Sequence, residues 1–139
     1  MQKIKSNPNL KTEKEKKKRN LKRNKARGSD YERVIAQELR DLGFSGVVTS
    51  RAESKAMDDK KVDLIDKNDK LPFYPQLKAT IKTPDYFGIY KDCPLKDKPF
   101  VIFWKKIKPT TSTFRSEGEI VMISKDFFYT LIKNYINEL

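Results

Sequence analysis

Asp63, Gln76 and Lys78 are the residues of this 139-residue chain whose types and spacing best suit metal-assisted chemistry on a phosphate. Asp63 stands in an apolar stretch, where burial of an acid costs free energy unless the acid is paired or binds a metal. Gln76 and Lys78 are two residues apart, so in a strand both side chains point to one face. A carboxylate and an amide oxygen can hold a hard cation such as Mg²⁺. A lysine beside them can orient the attacking water and offset phosphate charge.

These three side chains meet only if the strands that carry them are neighbours. Residues 62–66 and 73–80 both have the composition of strands, and we expect them to pair as a hairpin with Asp63 on the face of Gln76 and Lys78. Pro75 predicts an edge position or a bulge in the second strand. The alternative is an ordinary solvated strand face for Gln76 and Lys78, and a solvated edge strand for Asp63.

Glu32 is the fourth candidate, and a helix must position it. Residues 29–32 (SDYE) have the form of a capping box, which predicts a helix that begins there and ends at Gly43. At ~100° per residue, Glu32 shares the apolar side of that helix with Ile35 and Leu39. We therefore expect Glu32 to face the sheet and to approach the cation. The alternative is a glutamate that only caps the helix.

The composition excludes several kinds of site. The chain has no histidine, which removes Ser-His-Asp and Cys-His catalysis and any histidine base. Cys93 is the only cysteine, so neither an intrachain disulfide nor a cysteine-rich zinc site is available. Acid–base chemistry must therefore come from carboxylates, lysines, tyrosines or metal-bound water.

The positive charge is concentrated in an N-terminal arm. The formal net charge is +12, and residues 1–29 hold twelve basic and two acidic residues, which leaves +2 for residues 30–139. With so few apolar side chains, residues 1–27 are expected to be disordered in the free protein and helical around 12–26 when bound. Such an arm suits nucleic acid, whose phosphates it neutralises; a solubilising tail or a targeting signal is the alternative. The arm residues expected to bind nucleic acid include Lys16, Lys17, Lys18, Arg19 and Arg23.

The remaining elements predict one α/β domain over residues 28–139. Residues 47–49, 100–104 and 119–123 have the composition of further strands, and Ser124 is expected to cap a final helix with a broad apolar face. No apolar run approaches the ~20 residues that span a bilayer, and the N-terminus lacks a signal-peptide core. We expect an intracellular protein, in the cytoplasm or nucleoid, that does not bind membranes.

Two groups of motifs resemble the PD-(D/E)xK nuclease superfamily. Residues 28–33 (GSDYER), 42–44 (LGF) and 50–51 (SR) resemble the start of archaeal-type Holliday junction resolvases. Residues 62–65 (VDLI) and 76–79 (QLKA) resemble their catalytic hairpin. The resemblance covers roughly residues 27–135 and rests on short motifs. It implies a restriction-endonuclease-like mixed sheet of about five strands flanked by helices.

The resemblance also implies roles for individual residues. Asp63 would be the main metal carboxylate, Gln76 would occupy the second acidic position, and Lys78 would be the catalytic lysine. Glu32 would bind the metal directly or through water. Ser54 would match a family serine near the substrate, whereas Asp58 and Asp59 stand before the strand and are less well placed. Independently of the resemblance, Arg51 and Lys55 flank the proposed site and are expected to follow phosphates along a cleft; a solvated charged surface is the alternative.

The same resemblance implies a Mg²⁺-dependent homodimer, with Mn²⁺ as a substitute, that cuts branched or structured DNA as Holliday junction resolvases do. Gln76 departs from the family pattern because an amide ligates Mg²⁺ without supplying charge, although Mrr-type restriction endonucleases look similar in carrying Gln-x-Lys. The alternatives are an inactive nucleic-acid-binding protein with a degenerate nuclease fold and, from the arm alone, an RNA-binding or ribosome-associated protein.

Overall fold

The structure is a computed structural model that describes residues 12–109 and 114–139. It has mixed α/β architecture, with five helices and five strands within these two ranges. None of the described helices combines the length and the apolar character needed to cross a bilayer. The first eleven residues of the basic arm lie outside the described ranges.

Helix α1 (Glu13–Asp41) is 29 residues long and begins much earlier than the sequence predicts. Thr12 caps it: its hydroxyl accepts the N–H of Glu15, whose carboxylate accepts the N–H of Thr12. Residues 29–32 are an interior turn, so the predicted capping box is wrong. The helix predicted around residues 12–26 for the bound state is the first part of α1. The predicted domain boundary after residue 27 falls inside this helix. Lysine, arginine, glutamate and alanine are good helix formers, which explains why the helix continues through the basic segment.

The end of α1 agrees with the prediction. The helix ends at Leu42, and Gly43 follows with φ of +122°, a conformation that glycine tolerates and other residues rarely adopt. The chain then enters strand β1 (Val47–Thr49) and two short helices, α2 (Ser50–Glu53) and α3 (Lys55–Asp59).

The strands form two sheets. Strand β2 (Leu64–Asp66) pairs antiparallel with β1, while β3 (Tyr74–Thr80) pairs in parallel with β4 (Phe100–Pro109), which pairs antiparallel with β5 (Phe114–Met122). The predicted hairpin of β2 with β3 is therefore wrong, and the single five-stranded sheet is not found among the described residues. The sheets meet where the N–H of Asp63 donates to the carbonyl of Pro75, at 2.9 Å.

Pro75 explains why the two sheets do not merge. A residue's N–H and C=O point to the same edge of a strand, so Pro75 lacks a donor on the edge that faces β2. The predicted edge position of the Pro75 strand is confirmed, because β3 is the outer strand of its sheet. The next donor on that edge, the N–H of Leu77, is left for the side chain of Asp63.

Two apolar clusters lie on opposite faces of β3. Tyr31, Ile35, Ala36 and Leu39 of α1 pack with Leu77 on one face. Val62, Cys93, Phe100 and Ile102 form the other cluster, against which residues of α4 (Tyr86–Lys91) pack. Gln76 and Lys78 alternate with Leu77 and therefore point away from the α1 cluster.

Helix α5 (Lys125–Asn137) is capped by Ser124, as predicted, with its hydroxyl 3.0 Å from the N of Phe127. Phe127 is its only buried residue and lies against Phe73, with ring centroids 6.2 Å apart. The broad apolar face therefore does not pack on this domain: its other large side chains are 36% to 66% exposed, namely Phe128, Tyr129, Leu131, Ile132, Tyr135 and Ile136.

Candidate active site

A helix end and a turn place Asp63. Helix α3 ends in a Schellman motif, in which the N–H of Lys61 bonds the carbonyl of Asp58 and the N–H of Val62 bonds that of Met57. Lys61 adopts φ of 67°, the left-handed conformation that this motif requires. Val62 is fully buried with Met57 packed nearby, which fixes the chain immediately before Asp63.

Asp63 is buried and held by its neighbours, with 7% of its surface exposed. Its carbonyl accepts the N–H of Ser50 at 2.8 Å, and its Oδ2 accepts the N–H of Leu77 at 2.8 Å. Burial raises the pKa of Asp63 to about 6, and the hydrogen bond from Leu77 limits the rise. The alternative of an exposed edge position for Asp63 is therefore wrong.

Gln76 lies beside Asp63 and is only 5% exposed, so a solvated strand face is also wrong for this residue. Its side-chain oxygen is buried and has no hydrogen-bond partner among the residues that the structure describes. An unsatisfied buried acceptor costs on the order of 1–3 kcal/mol. The buried amide oxygen therefore does not stabilise the fold, and it is available to a ligand.

A cavity of about 350 Å³ brings these groups together. Asp63, Gln76 and the half-buried Lys78 line it, as do Asp58, Lys61 and two residues at the end of α4, Ile89 and Asp92. Three of the four residues singled out in the sequence thus face one space, although their strands do not form a hairpin. Asp63 donates its N–H to the carbonyl of Pro75 and accepts the N–H of Leu77, and these two bonds hold it beside Gln76 and Lys78 as the predicted hairpin would.

Glu32 is buried on α1, with 5% of its surface exposed, as its position on the apolar side predicts. It is not among the residues that line the Asp63 cavity. Its Oε1 lies 3.3 Å from Nη2 of Arg51. Burial raises the pKa of Glu32 to about 7, and the negative charge of Asp63 adds to the rise, while Arg51 opposes it. Glu32 and Asp63 are therefore close enough to influence each other's charge.

The donor set fits a hard divalent cation. The Leu77 N–H engages Oδ2 of Asp63, which leaves Oδ1 for a ligand, and Gln76 offers an amide oxygen without a partner in the described ranges. Oxygen donors of this kind suit Mg²⁺ and Mn²⁺. No set of three histidine, cysteine, aspartate or glutamate side chains is placed to hold a metal within residues 12–109 and 114–139. Asp63 and Gln76 are the two sequence-predicted oxygen donors in the cavity lining, to which Asp58 and Asp92 add carboxylates, and Glu32 lies near Asp63 without lining the cavity.

The other predicted nucleic-acid contacts lie in different places. Ser54 caps α3, with its hydroxyl accepting the N–H of Met57 at 3.4 Å, which accounts for this serine without a ligand. Lys55 is exposed on the first turn of α3. The exposed residues Lys16, Lys17, Lys18 and Arg19 are on α1, and Arg23 lies further along, facing β3.

Two residues near the site were missed or ranked too low. Asp58 lines the cavity, and its charge raises the pKa of both Asp63 and Glu32. Its sequence position before the strand predicts a poorer placement, but α3 and the turn that ends it bring Asp58 to the cavity. Ser50 is fully buried, and its hydroxyl has no partner in the described part of the chain. Ser50 is part of the SR motif that contributes to the resemblance, but that motif assigns it no role at the site.

Comparison with models of known protein families, with curated proteins and with solved structures finds no match to this chain. The geometry of the Asp63 cavity and the distribution of charge are therefore the grounds on which a function is argued.

Proposed function

We propose that this protein is a metal-dependent DNA endonuclease of the PD-(D/E)xK type, with Mg²⁺ as its cofactor and Mn²⁺ as a substitute. The observation that carries the proposal is the buried Gln76 oxygen, without a partner among the described residues, in one cavity with Asp63 and Lys78. Burying a carboxylate and an amide away from water destabilises the fold. A ligand that binds both groups would offset this cost.

The reaction is hydrolysis of a phosphodiester: water adds to phosphorus, the P–O bond to one sugar breaks, and that sugar oxygen takes a proton. A bound divalent cation supplies charge that polarises the phosphate and assists the attack of water. Asp63 and Gln76 hold the cation, and the N–H of Leu77 keeps the Asp63 carboxylate in place. Lys78 puts a positive charge at the cavity wall, where it orients water and offsets charge on the phosphate.

The substrate we propose is branched or structured DNA, cut as a Holliday junction resolvase cuts it. The basic segment of α1 supports a polyanionic substrate, because its cationic side chains are exposed and oriented by a helix. The branched structure itself rests on the sequence resemblance of residues 28–33 and 76–79.

Two symmetric cuts require two sites, and we propose that a second copy of this chain covers the apolar face of α5. The exposed apolar side chains of α5 cover an arc of ~160° around the helix. Each has a surface of ~170 Å² and is roughly half exposed, so together they present on the order of 500 Å². A stable interface buries about 800 Å² per partner, so this face supplies most of one side. Charge on α5 and its C-cap is balanced, with Lys125 and Lys133 against Asp126 and the capping residue Glu138. Two copies can therefore approach here despite their high net charge.

A DNA-binding protein that does not cut is the second candidate. It is favoured by Gln76, which supplies no charge to a cation, and by the ion pair that engages Glu32 with Arg51. In this case the fold and the basic helix would bind DNA, while the cavity would hold water. Binding would be sensitive to salt and indifferent to divalent metals.

Cleavage of a labelled four-way DNA junction separates these candidates. The junction is incubated beside matched linear duplex, single-stranded DNA and RNA, in Mg²⁺, in Mn²⁺ and in EDTA. Paired cuts confined to the junction and absent in EDTA are the expected result. Cutting of every DNA substrate would support an endonuclease without junction preference. Salt-sensitive binding with no cutting under any condition would contradict the endonuclease and support the binding protein.

A further inference from the structure

A groove of about 610 Å³ runs between the basic segment of α1 and the end of β3. Residues on the inner side of α1 between 21 and 28 form one wall, and residues 77–81 form the other. Arg51, at the start of α2, completes the lining. The segment that the sequence predicts to be a disordered arm is thus a helical wall of a defined groove.

The charged side chains that line the groove are all cations. Five of its lining residues are positively charged and none is acidic: Arg23, Lys25, Arg27, Arg51 and Lys78. These cations belong to three separate elements. The positive charge is therefore on more than one side of the groove and is not simply the solvated face of a single helix. A groove of this kind attracts a polyanion, whose backbone can lie along it.

The groove also has apolar surface. Leu21 on α1 and Ile81 after β3 both line it, and each is at least half exposed. Leu77 and Ala79 lie between them on the strand side. Exposed apolar residues beside cations provide contacts for bases and sugars as well as for phosphates, and an unpaired strand exposes the faces of its bases, which a duplex keeps stacked.

Lys78 connects the groove to the Asp63 cavity, because it is among the residues that line both: its backbone lies between Leu77 and Ala79 at the groove, and its side chain points to the face of Gln76. Arg51 makes a second connection, since it lines the groove while pairing with Glu32. A phosphate chain lying in the groove therefore passes next to the proposed metal ligands.

We propose that this groove binds a short unpaired segment of one DNA strand and presents the adjoining phosphodiester to the Asp63 cavity. Its volume is in the range of sites that bind small molecules, ~300–1,000 Å³, which suits a few nucleotides of a single strand. This inference rests on the proposed endonuclease function and narrows its substrate: the DNA carries an unpaired segment, as at a branch point, a flap or an overhang.

The test measures binding without cleavage. Fluorescence anisotropy in EDTA compares a duplex that carries a ~10-nucleotide oligothymidylate tail with the same duplex blunt-ended. The groove variant is Arg23→Gln with Lys25→Gln, which removes two exposed cations from the rim. Its matched control is Arg19→Gln with Lys22→Gln, the same charge change on the same helix at two exposed positions that do not line the groove.

Wild-type protein should prefer the tailed duplex, and the groove variant should bind it about tenfold more weakly. The salt dependence of tail binding should also fall, by about 0.7 in log–log slope for each phosphate that the variant no longer neutralises. The control should weaken binding of both DNAs equally and by less than about threefold. Equal losses of affinity for the two variants on the tailed duplex, or a preference for the blunt duplex, would overturn the proposal.

The two proposals fail separately. Junction cleavage by a protein without a groove-dependent preference would contradict the groove alone. A groove-dependent preference in a protein that cuts no substrate would contradict the endonuclease alone.

Discussion

The carboxylate of Asp63, immediately before β2 of one sheet, accepts the backbone N–H of Leu77 in β3 of the other sheet, at 2.8 Å. A side chain thus takes the position that a backbone carbonyl would hold in a continuous ladder. Since Leu77 stands between Gln76 and Lys78, this one bond fixes the position of the carboxylate relative to both. The arrangement depends on Pro75, which has no N–H to extend the ladder.

Gln76→Glu should strengthen metal binding and weaken the metal-free fold. A third carboxylate joins Asp63 and Glu32 in a buried site, where unpaired negative charge costs stability. We expect a loss of ~1–3 kcal/mol in the free energy of unfolding in EDTA, recovered in millimolar Mg²⁺, and activity that saturates at about tenfold lower Mg²⁺. Urea unfolding and a Mg²⁺ titration of cleavage measure these effects. A variant that is destabilised equally with and without Mg²⁺ would contradict the metal assignment.

Glu32→Gln should stabilise the metal-free protein at high pH. The pKa of Glu32 is about 7 in the folded protein against 4.5 for the ordinary group. The folded state thus holds a proton that the unfolded state has released, and stability falls as the pH rises from about 4.5 to about 7. The variant should be ~1–3 kcal/mol more stable than wild type at pH 8 and indistinguishable at pH 4.

Urea unfolding in EDTA at pH 4, 6 and 8 checks the Glu32 prediction. Glu38→Gln, at an exposed position on the same helix, is the control and should show no comparable pH-dependent gain in stability. A gain for Glu32→Gln that is the same at every pH would mean that the burial of charge is not its cause.

Lys61→Gly should stabilise the protein relative to Lys61→Ala. Both changes remove the same charge from the cavity wall, but only glycine relieves the left-handed backbone at φ of 67°. The expected difference is ~0.5–1 kcal/mol in the free energy of unfolding, measured by urea titration. Equal stability of the two variants would show that the turn into Asp63 is not strained.

Ile132→Glu with Tyr135→Glu should convert a dimer into a monomer. Sedimentation velocity at micromolar concentration is expected to give a dimer for wild type and a monomer for the variant, because two buried charges per copy would oppose association. Phe87→Glu, which replaces an exposed aromatic residue on α4, is the control and should remain dimeric. A monomeric wild type at this concentration would contradict the proposed interface.

The sequence was most informative about which polar residues are buried. Asp63 and Glu32 stand among apolar residues at the spacing of a strand and a helix, and Gln76 alternates with apolar Leu77. Their burial follows from those patterns because neighbouring apolar side chains must leave water together. The end of α1 at Gly43 and the cap at Ser124 follow from residue chemistry in the same way.

The start of α1 is harder to predict, because two local signals compete for it. Residues 12–15 (TEKE) and 29–32 (SDYE) both have the capping-box pattern, and nothing local decides which begins the helix. The sequence does not show that β3 pairs in parallel with β4, because β4 follows only after the segment that contains α4 and a pairing between strands so far apart leaves no local signal. The outward face of α5 is a tertiary outcome, since its apolar pattern is also that of a helix packed on its own domain.

The most direct test of the Asp63 cavity is junction cleavage by Asp63→Asn beside wild type in Mg²⁺, with DNA affinity measured on the same samples. Asparagine keeps the oxygen that accepts the Leu77 N–H but removes the charge. We predict a loss of at least ~10²-fold in cleavage rate with DNA affinity changed by less than about threefold. Wild-type cleavage rates in Asp63→Asn would contradict the assignment of this cavity as the catalytic site.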